Sequence, residues 1–156
     1  MLPDPRGIRK FRIREVCDFT NLHVIIMLTV YKASAGSGKT FHLVFEYMKL
    51  LFIDPFNYRH ILAVTFTNKA AFEMKSRILR QLFLLSVNEA SPYLKLLMEE
   101  LKLSEKNIRE KALGVLQNIL HDYSRFSVST IDSFTQRIIR AFNRETGIFP
   151  QFTLAL

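Results

Sequence analysis

Eight consecutive residues have the types and the spacing of a phosphate-binding loop. Three small residues are followed by two glycines that flank a serine, and then by a lysine and a threonine, in the order Ala33, Ser34, Ala35, Gly36, Ser37, Gly38, Lys39 and Thr40. Glycine permits positive φ and has no Cβ, so the backbone N–H groups of such a loop can surround a polyphosphate. We expect Lys39 to reach the β- and γ-phosphates and the Thr40 hydroxyl to bind the Mg²⁺ that bridges them.

The segments around this loop have the patterns of a strand and a helix. Residues 25–31 form an apolar run with the length of a buried strand, and residues 41–53 carry apolar side chains at helical spacing. Strand, loop and helix in this order are the context that a phosphate-binding loop requires. The pattern G-x-x-x-x-G-K-[ST] is met except at its first position, where Ala33 replaces glycine.

A second strand and helix follow the first pair. Residues 61–66 predict a strand that is apolar on both faces, as parallel strands between helices are, and residues 69–85 predict a helix capped by Thr67 or Asn68. Residues 65–69 then lie at the carboxyl end of a parallel strand, the edge where open α/β sheets bind ligands. We expect the loop at 33–40 to lie on that same edge.

The remaining segments predict a helical insertion and a third strand with its helix. Residues 86–125 read as the insertion and residues 126–131 as a short strand. The next helix is expected to begin at Asp132-Ser133, where Ser133 and Gln136 have capping-box spacing, and to end at Gly147. Its expected buried face consists of apolar residues at helical spacing, namely Phe134, Ile138, Ala141 and Phe142.

The N-terminal segment, residues 1–26, does not share these patterns. Two prolines and a glycine near its start, followed by a basic run, predict a disordered or poorly packed tail. Two alternatives remain open: a basic arm that touches nucleic acid, or a translation start at Met27. At the other end, residues 148–156 read as the beginning of a further segment.

Composition limits the classes of protein. The 156 residues carry a formal charge of +8, which suggests a polyanionic partner, although a solvated basic surface is the alternative. No apolar run approaches the ~20 residues of a membrane span. The single cysteine, Cys17, excludes an internal disulfide, and the cytoplasm is the expected compartment. Glu99 and Glu100 are expected on a solvated helix face rather than at a metal site.

The three strand-to-helix segments together resemble the N-terminal ATP-binding domain of UvrD/Rep-type superfamily 1 DNA helicases, over about residues 28–147. The eight-residue loop is similar to the family's first motif, which commonly has alanine at the position of Ala33. Residues 62–74 resemble the next motif, a single-stranded DNA contact. Residues 129–140 resemble the third, with Asp132 in place of the usual histidine. The insertion and the form of the loop favour the RecB/AddA branch, the motor subunits of helicase–nuclease machines for double-strand break repair.

The resemblance implies a fold and a set of site residues. The fold is α/β, a three-layer P-loop NTPase of the RecA-like type with a parallel sheet, incomplete here, in an ATP-binding domain that covers residues 27–147. The eight loop residues would hold ATP and Mg²⁺, with Lys39 and Thr40 as the catalytic members. Single-stranded DNA contacts are implied for the polar and aromatic residues after the second and third strands, namely Thr65, Phe66, Thr67, Asn68, Thr130 and Ser133.

Alternatives remain open for several of these side chains. A ring at Phe66 could stack on a base, because such stacking is indifferent to sequence, or it could be a core aromatic. Thr67 and Ser133 could serve only as helix caps, and for Ser133 capping is the favoured role. The glutamine that reads adenine in many relatives is not apparent in the sequence.

The implied function is the ATP-binding and DNA-contacting part of a DNA helicase. The Asp-Glu pair and the arginine that phosphoryl transfer requires lie downstream in the family, so we expect a fragment that does not hydrolyse ATP alone. A nuclease or helicase partner subunit is possible within this branch. A small P-loop kinase and a non-catalytic DNA-binding remnant are the alternative functions.

Overall fold

The computed structural model describes residues 9–19, 22–32 and 38–142 of the chain. The chain divides into two compact units, residues 1–43 and residues 44–156. The first helix, α1, comprises Lys39–Ile53. No helix among the described residues has both the length and the apolar character needed to cross a bilayer.

The first unit contains an antiparallel hairpin. Strand β1 is Arg9–Phe19 and strand β2 is Leu22–Lys32, paired in register from Arg9 opposite Lys32 to Phe19 opposite Leu22. Residues 9–19 thus form a strand inside the segment 1–26, for which the sequence predicts a disordered or poorly packed tail. Apolar and basic residues alternate over residues 11–14 with the period of a strand, and a partner strand follows directly in the sequence.

Strand β2 contains the apolar run at 25–31 that was expected to join a parallel sheet. In the described part of the chain it pairs with β1, and the two-stranded sheet β1–β2 is separate from the sheet of the second unit. Among the described residues this strand therefore has an antiparallel partner, and its predicted place in a parallel sheet stays a prediction. A hairpin closes the shortest loop available to it, which is the cheapest pairing in chain entropy.

The second unit has a parallel pair of strands. Three α-helices lie between the two strands in the sequence, and a fourth follows the second strand. Strands β3 (Ala63–Thr65) and β4 (Val128–Thr130) are parallel, with Ala63 opposite Val128 and Thr65 opposite Thr130. The helices are α2 (Asn68–Ser86), α3 (Leu94–Leu101), α4 (Glu105–His121) and α5 (Ile131–Ala141). The unit is thus α/β as expected, with both strands shorter than their apolar runs.

The core of this unit lies where α2 packs against β4 and α4. Each helix contributes residues at three-to-four spacing that are almost fully buried: Met74, Ile78, Leu82 and Leu85 from α2, and Ile108, Ala112, Val115 and Ile119 from α4. Lys111 Nζ of α4 donates to the carbonyl of Phe52 at 2.9 Å, which satisfies one of the carbonyls left open at the end of α1. The helical insertion is therefore part of the core.

Helix α5 departs from its expected burial. None of its residues is buried, and Ile138 on its predicted inner face is 41% exposed. The helix contacts the sheet through Arg137, whose Nη2 donates to Ser129 Oγ at 3.1 Å. Two strands about 4.8 Å apart are narrower than a helix about 10 Å wide, so this sheet cannot cover the apolar face. The helix ends at Ala141, before the predicted stop at Gly147, which lies outside the described residues.

Candidate nucleotide and nucleic-acid site

The phosphate loop is described at its last three residues, because Ala33 to Ser37 lie outside the described ranges. Gly38 has a φ of +82°, and no atom lies within 4 Å of the position that a Cβ would take there. The expectation that this glycine supplies a positive φ is confirmed. Any other residue at Gly38 would therefore be strained by its backbone conformation, although its side chain would have space.

Lys39 and Thr40 are the first two residues of α1, and both side chains are exposed. The carbonyl of Gly38 accepts the N–H of His42 at 3.0 Å, which closes the first turn of the helix. The first turn of α1 contains no acidic residue of its own, and a carboxylate at that position would oppose the binding of an anion. Glycine, helix N-terminus and lysine together fit a phosphate group.

The first junction, residues 65–69, connects β3 to α2. Thr67 is the N-cap of α2, and its Oγ1 accepts the N–H of Ala70 at 3.1 Å. Thr65 Oγ1 donates to the carbonyl of Thr67 at 3.0 Å, which fixes the turn before the helix. The capping predicted for this position is therefore confirmed at Thr67, with Asn68 as the first helical residue.

Phe66 lies between these two threonines and is 86% exposed. The alternative of a core aromatic is therefore wrong. Phe72, one turn inside α2, is 72% exposed, and no sequence pattern had singled it out. Helical spacing indicates that Phe72 is exposed, because position 72 lies outside the face of α2 that Ala71 and Met74 bury.

The second junction, residues 130–133, connects β4 to α5 without an intervening residue. Thr130 ends β4 and is also the N-cap of α5, and it is only 6% exposed. Its Oγ1 accepts the N–H of Ser133 at 3.2 Å and shares a 2.8 Å hydrogen bond with Ser133 Oγ. The prediction that Ser133 caps the helix is wrong, because Thr130 and Ser133 already have the spacing of an N-cap and its partner.

The strand register brings the two junctions together. Thr65 and Thr130 are directly opposite each other at the carboxyl ends of neighbouring parallel strands. The N-termini of α2 and α5 therefore lie at one edge of the sheet, the carboxyl-end edge that the sequence predicts for residues 65–69. The position of the loop at 33–40 relative to this edge stays a prediction.

The junctions differ in charge. The first turn of α2 has no acidic residue and contains the exposed Lys69, whereas the first turn of α5 contains the exposed Asp132. A carboxylate near a helix N-terminus stabilises the helix and repels a second anion. An anionic ligand at this edge therefore meets a more favourable field at the first junction than at the second.

Comparison with known proteins gives a family match over most of the chain. The model of the UvrD/REP helicase N-terminal domain matches residues 20–155. An ATP-dependent helicase/nuclease subunit of Bacillus cytotoxicus is 38% identical over 125 residues, which are 79% of this chain and 8% of that protein. The proteins of the same name from Bacillus cereus strain AH187 and Lactobacillus johnsonii are 34% and 33% identical, over 79% and 78% of this chain and 8% of each protein.

The chain thus spans about 8% of the length of the curated relatives it matches. No solved structure gives a significant match.

Proposed function

Because the chain belongs to the UvrD/REP helicase N-terminal domain family, we propose that it is the ATP-binding and single-stranded-DNA-contacting part of an ATP-dependent DNA helicase, acting in recombination and repair. The observation that carries the proposal is the register of Thr65 opposite Thr130, which sets the two motif junctions side by side with Phe66 in solvent. Family membership favours this function over a small P-loop kinase. The finer fold, a RecA-like three-layer sheet, belongs to the same proposal.

The nucleotide part of the proposal rests on the loop and on the start of α1. Gly38 fits a backbone that approaches a polyphosphate, and Lys39 and Thr40 follow it at an N-terminus without acidic residues. Lys39 would neutralise the β- and γ-phosphates, and the Thr40 hydroxyl would hold Mg²⁺. In a complete helicase, hydrolysis of the bound ATP would supply the free energy for strand translocation.

The DNA part rests on the first junction. The Phe66 ring is free to stack on a base, and Thr67, Asn68 and the backbone N–H groups at the start of α2 would bind backbone phosphates. At the second junction the Thr130 hydroxyl is buried in the cap, so Thr130 would act by fixing the start of α5. Ser133 is exposed there and remains a proposed contact.

We also propose that these 156 residues bind ATP without hydrolysing it. Glu99 and Glu100 are the only adjacent carboxylates in the sequence. They lie in α3, and Glu100 is 3.1 Å from Lys49 Nζ of α1. This arrangement supports a structural ion pair rather than a pair that holds Mg²⁺. A DNA-stimulated ATPase activity of the isolated chain would contradict this part of the proposal.

The relatives are named as subunits of an ATP-dependent helicase/nuclease. We extend this to the chain as a proposal: a nuclease activity or a partner subunit accompanies it in the cytoplasm. Affinity purification of the tagged native protein, followed by identification of co-purifying chains, tests this. Recovery of the chain without any nuclease subunit or nuclease domain would contradict it.

The central test measures single-stranded DNA affinity with and without a nucleotide. We expect the affinity of the chain for oligo(dT) to change when ATP and Mg²⁺ are added, and Lys39→Ala to abolish that change while leaving basal DNA binding. Lys106→Ala is the matched control, because its side chain is 83% exposed on α4, away from the loop in sequence. A DNA affinity that ignores ATP in the unmodified chain would instead support a non-catalytic DNA-binding remnant.

A further inference from the structure

Phe72 is a large apolar side chain that takes little part in the packing of α2. The helix buries one face, which includes Ala71, Met74 and Ile78, and Phe72 lies outside it with 72% of its surface exposed. Phenylalanine is also a poorer helix former than alanine by several tenths of a kcal/mol. Neither burial nor helix propensity therefore accounts for a ring at this position.

The helix geometry places Phe72 beside the first junction. Asn68 and Phe72 are four residues apart in α2, so they lie on the same face one turn apart, with Cβ atoms about 5–6 Å from each other. Side chains on a helix lean towards its N-terminus, so we expect the Phe72 ring to lean towards Asn68. A ligand that reaches Asn68 therefore passes next to this ring.

We propose that Phe72 is a second base-stacking residue, so that one base stacks on Phe66 and another on Phe72. This inference rests on the proposed function. Phe72 lies five residues beyond the cap Thr67, which is about 7.5 Å along the helix axis. Neighbouring bases on one strand of duplex DNA are about 3.4 Å apart, so on a strand that follows the axis of α2 the two rings would engage bases roughly two nucleotides apart.

The surroundings favour a nucleic acid over a protein partner. Lys69 lies three residues before Phe72 and therefore neighbours it on the helix surface. The exposed charges of α2 are Lys69, Arg77 and Arg80 against the single acid Glu73. An exposed ring beside a basic helix N-terminus is the combination that sequence-tolerant single-strand binding uses. The surface also continues directly from the first junction.

Phe83 provides a matched control on the same helix. It is 51% exposed and lies eleven residues after Phe72, about 16 Å further from the junction. Affinity for oligo(dT) is measured by fluorescence anisotropy for Phe72→Ala, Phe72→Leu, Phe83→Ala and Phe66→Ala. Circular dichroism confirms that each variant folds. We expect Phe72→Ala and Phe72→Leu each to weaken binding about five- to hundredfold, and Phe83→Ala to leave it unchanged within about twofold.

A spectroscopic readout separates stacking from other contacts. 2-Aminopurine placed at successive positions of the oligonucleotide reports stacking through its fluorescence. We expect two positions, roughly two nucleotides apart, to change on binding, and Phe72→Ala to remove the change at one of them. Phe72→Trp should preserve both the affinity and the signal, because the aromatic surface is retained.

The outcomes separate this inference from the proposed function. If Phe66→Ala weakens binding while Phe72→Ala behaves like Phe83→Ala, the second stacking residue is wrong and the proposed DNA site stands. If neither Phe66→Ala nor Phe72→Ala weakens binding, the proposed DNA site is wrong as well. Wild-type affinity in Phe72→Leu would overturn base stacking in favour of a plain apolar contact.

Discussion

The two strand-to-helix junctions are built with the same cap chemistry and different connections. At the first junction Phe66 and Thr67 separate β3 from α2, and the capping threonine is exposed. At the second junction Thr130 both ends β4 and caps α5, and it is buried. The connection between β3 and α2 is longer and leaves the Phe66 ring exposed to solvent. The connection between β4 and α5 is shorter, and its capping residue, Thr130, is also a buried residue of the sheet.

The exposed residues of the two junctions also differ in side-chain type and in charge. Phe66 directly follows the register position Thr65, and Ile131 directly follows Thr130, so the two are equivalent in the parallel pair. One is an aromatic ring that can stack on a base and the other an aliphatic side chain that cannot. Lys69 accompanies the first and Asp132 the second. The first junction is therefore suited to binding single-stranded DNA. The second junction is suited to fixing the start of α5.

The largest expected effect is on Phe66. Phe66→Ala should weaken binding to single-stranded DNA by about 1–3 kcal/mol, because the stacking surface is lost. It should leave the free energy of unfolding within about 0.5 kcal/mol, because the side chain is 86% exposed. Ile131→Ala, at the equivalent position, should change affinity by less than about 0.5 kcal/mol. Fluorescence anisotropy and urea unfolding measure the two quantities. Equal losses of affinity at both positions would remove the distinction between the junctions.

The next largest effect is expected for the capping threonines, and it is an effect on stability that is greater at the second junction than at the first. Thr130→Val keeps the shape of the side chain and removes the acceptor of the Ser133 N–H, so it should lower the free energy of unfolding by about 1–2 kcal/mol. Thr67→Val removes an exposed cap and should cost about 0.5–1 kcal/mol in stability. It should also weaken DNA binding, since Thr67 is a proposed contact.

Urea midpoints at constant m-value measure both variants, and anisotropy measures their affinities. A greater loss of stability in Thr67→Val than in Thr130→Val would show that burial does not determine how much each cap contributes to the free energy of unfolding.

The parts of the fold that follow from local spacing were predictable from the sequence. Thr67 has the right type and position for an N-cap, and the helix that it begins buries residues at the expected three-to-four spacing. The parallel direction of β3 and β4 was also expected, because strands separated by helices are typical of crossover connections in a parallel sheet. These features depend on residues near each other in sequence, or on a connection with few alternatives.

The structure differs from the sequence-based expectations where two local choices were equally good or where the outcome depended on distant partners. Thr130 and Ser133 can both cap a helix, and only the length of β4 decided for Thr130. The apolar run at 25–31 could pair with either neighbour, and it pairs with the strand before it. The exposed face of α5 could not be foreseen, because helical spacing predicts an apolar face without saying what covers it.

A smaller effect is expected at Lys69. Lys69→Gln should reduce the salt dependence of single-stranded DNA binding by about 0.7 in the slope of log K against log salt, the value for one phosphate contact. If the two proteins bind equally at 1 M salt, this difference in slope makes the affinity of Lys69→Gln about fivefold weaker at 0.1 M salt. Lys106→Gln, an exposed lysine on α4, should leave the slope unchanged. Identical slopes for the two variants would mean that Lys69 makes no phosphate contact and that the first junction lacks its charge advantage.

The smallest expected effect is at Asp132, and it tests the second junction directly. Asp132→Asn removes the only acidic residue in the first turn of α5, so the helix dipole is no longer compensated there. Single-stranded DNA affinity at low salt should rise about two- to fivefold, and the free energy of unfolding should fall by about 0.3–1 kcal/mol. Glu99→Gln, an exposed carboxylate on α3, controls for the change in net charge. Because the gain is electrostatic, it should shrink as salt is added, and an increase that persists at high salt would point to a new contact instead.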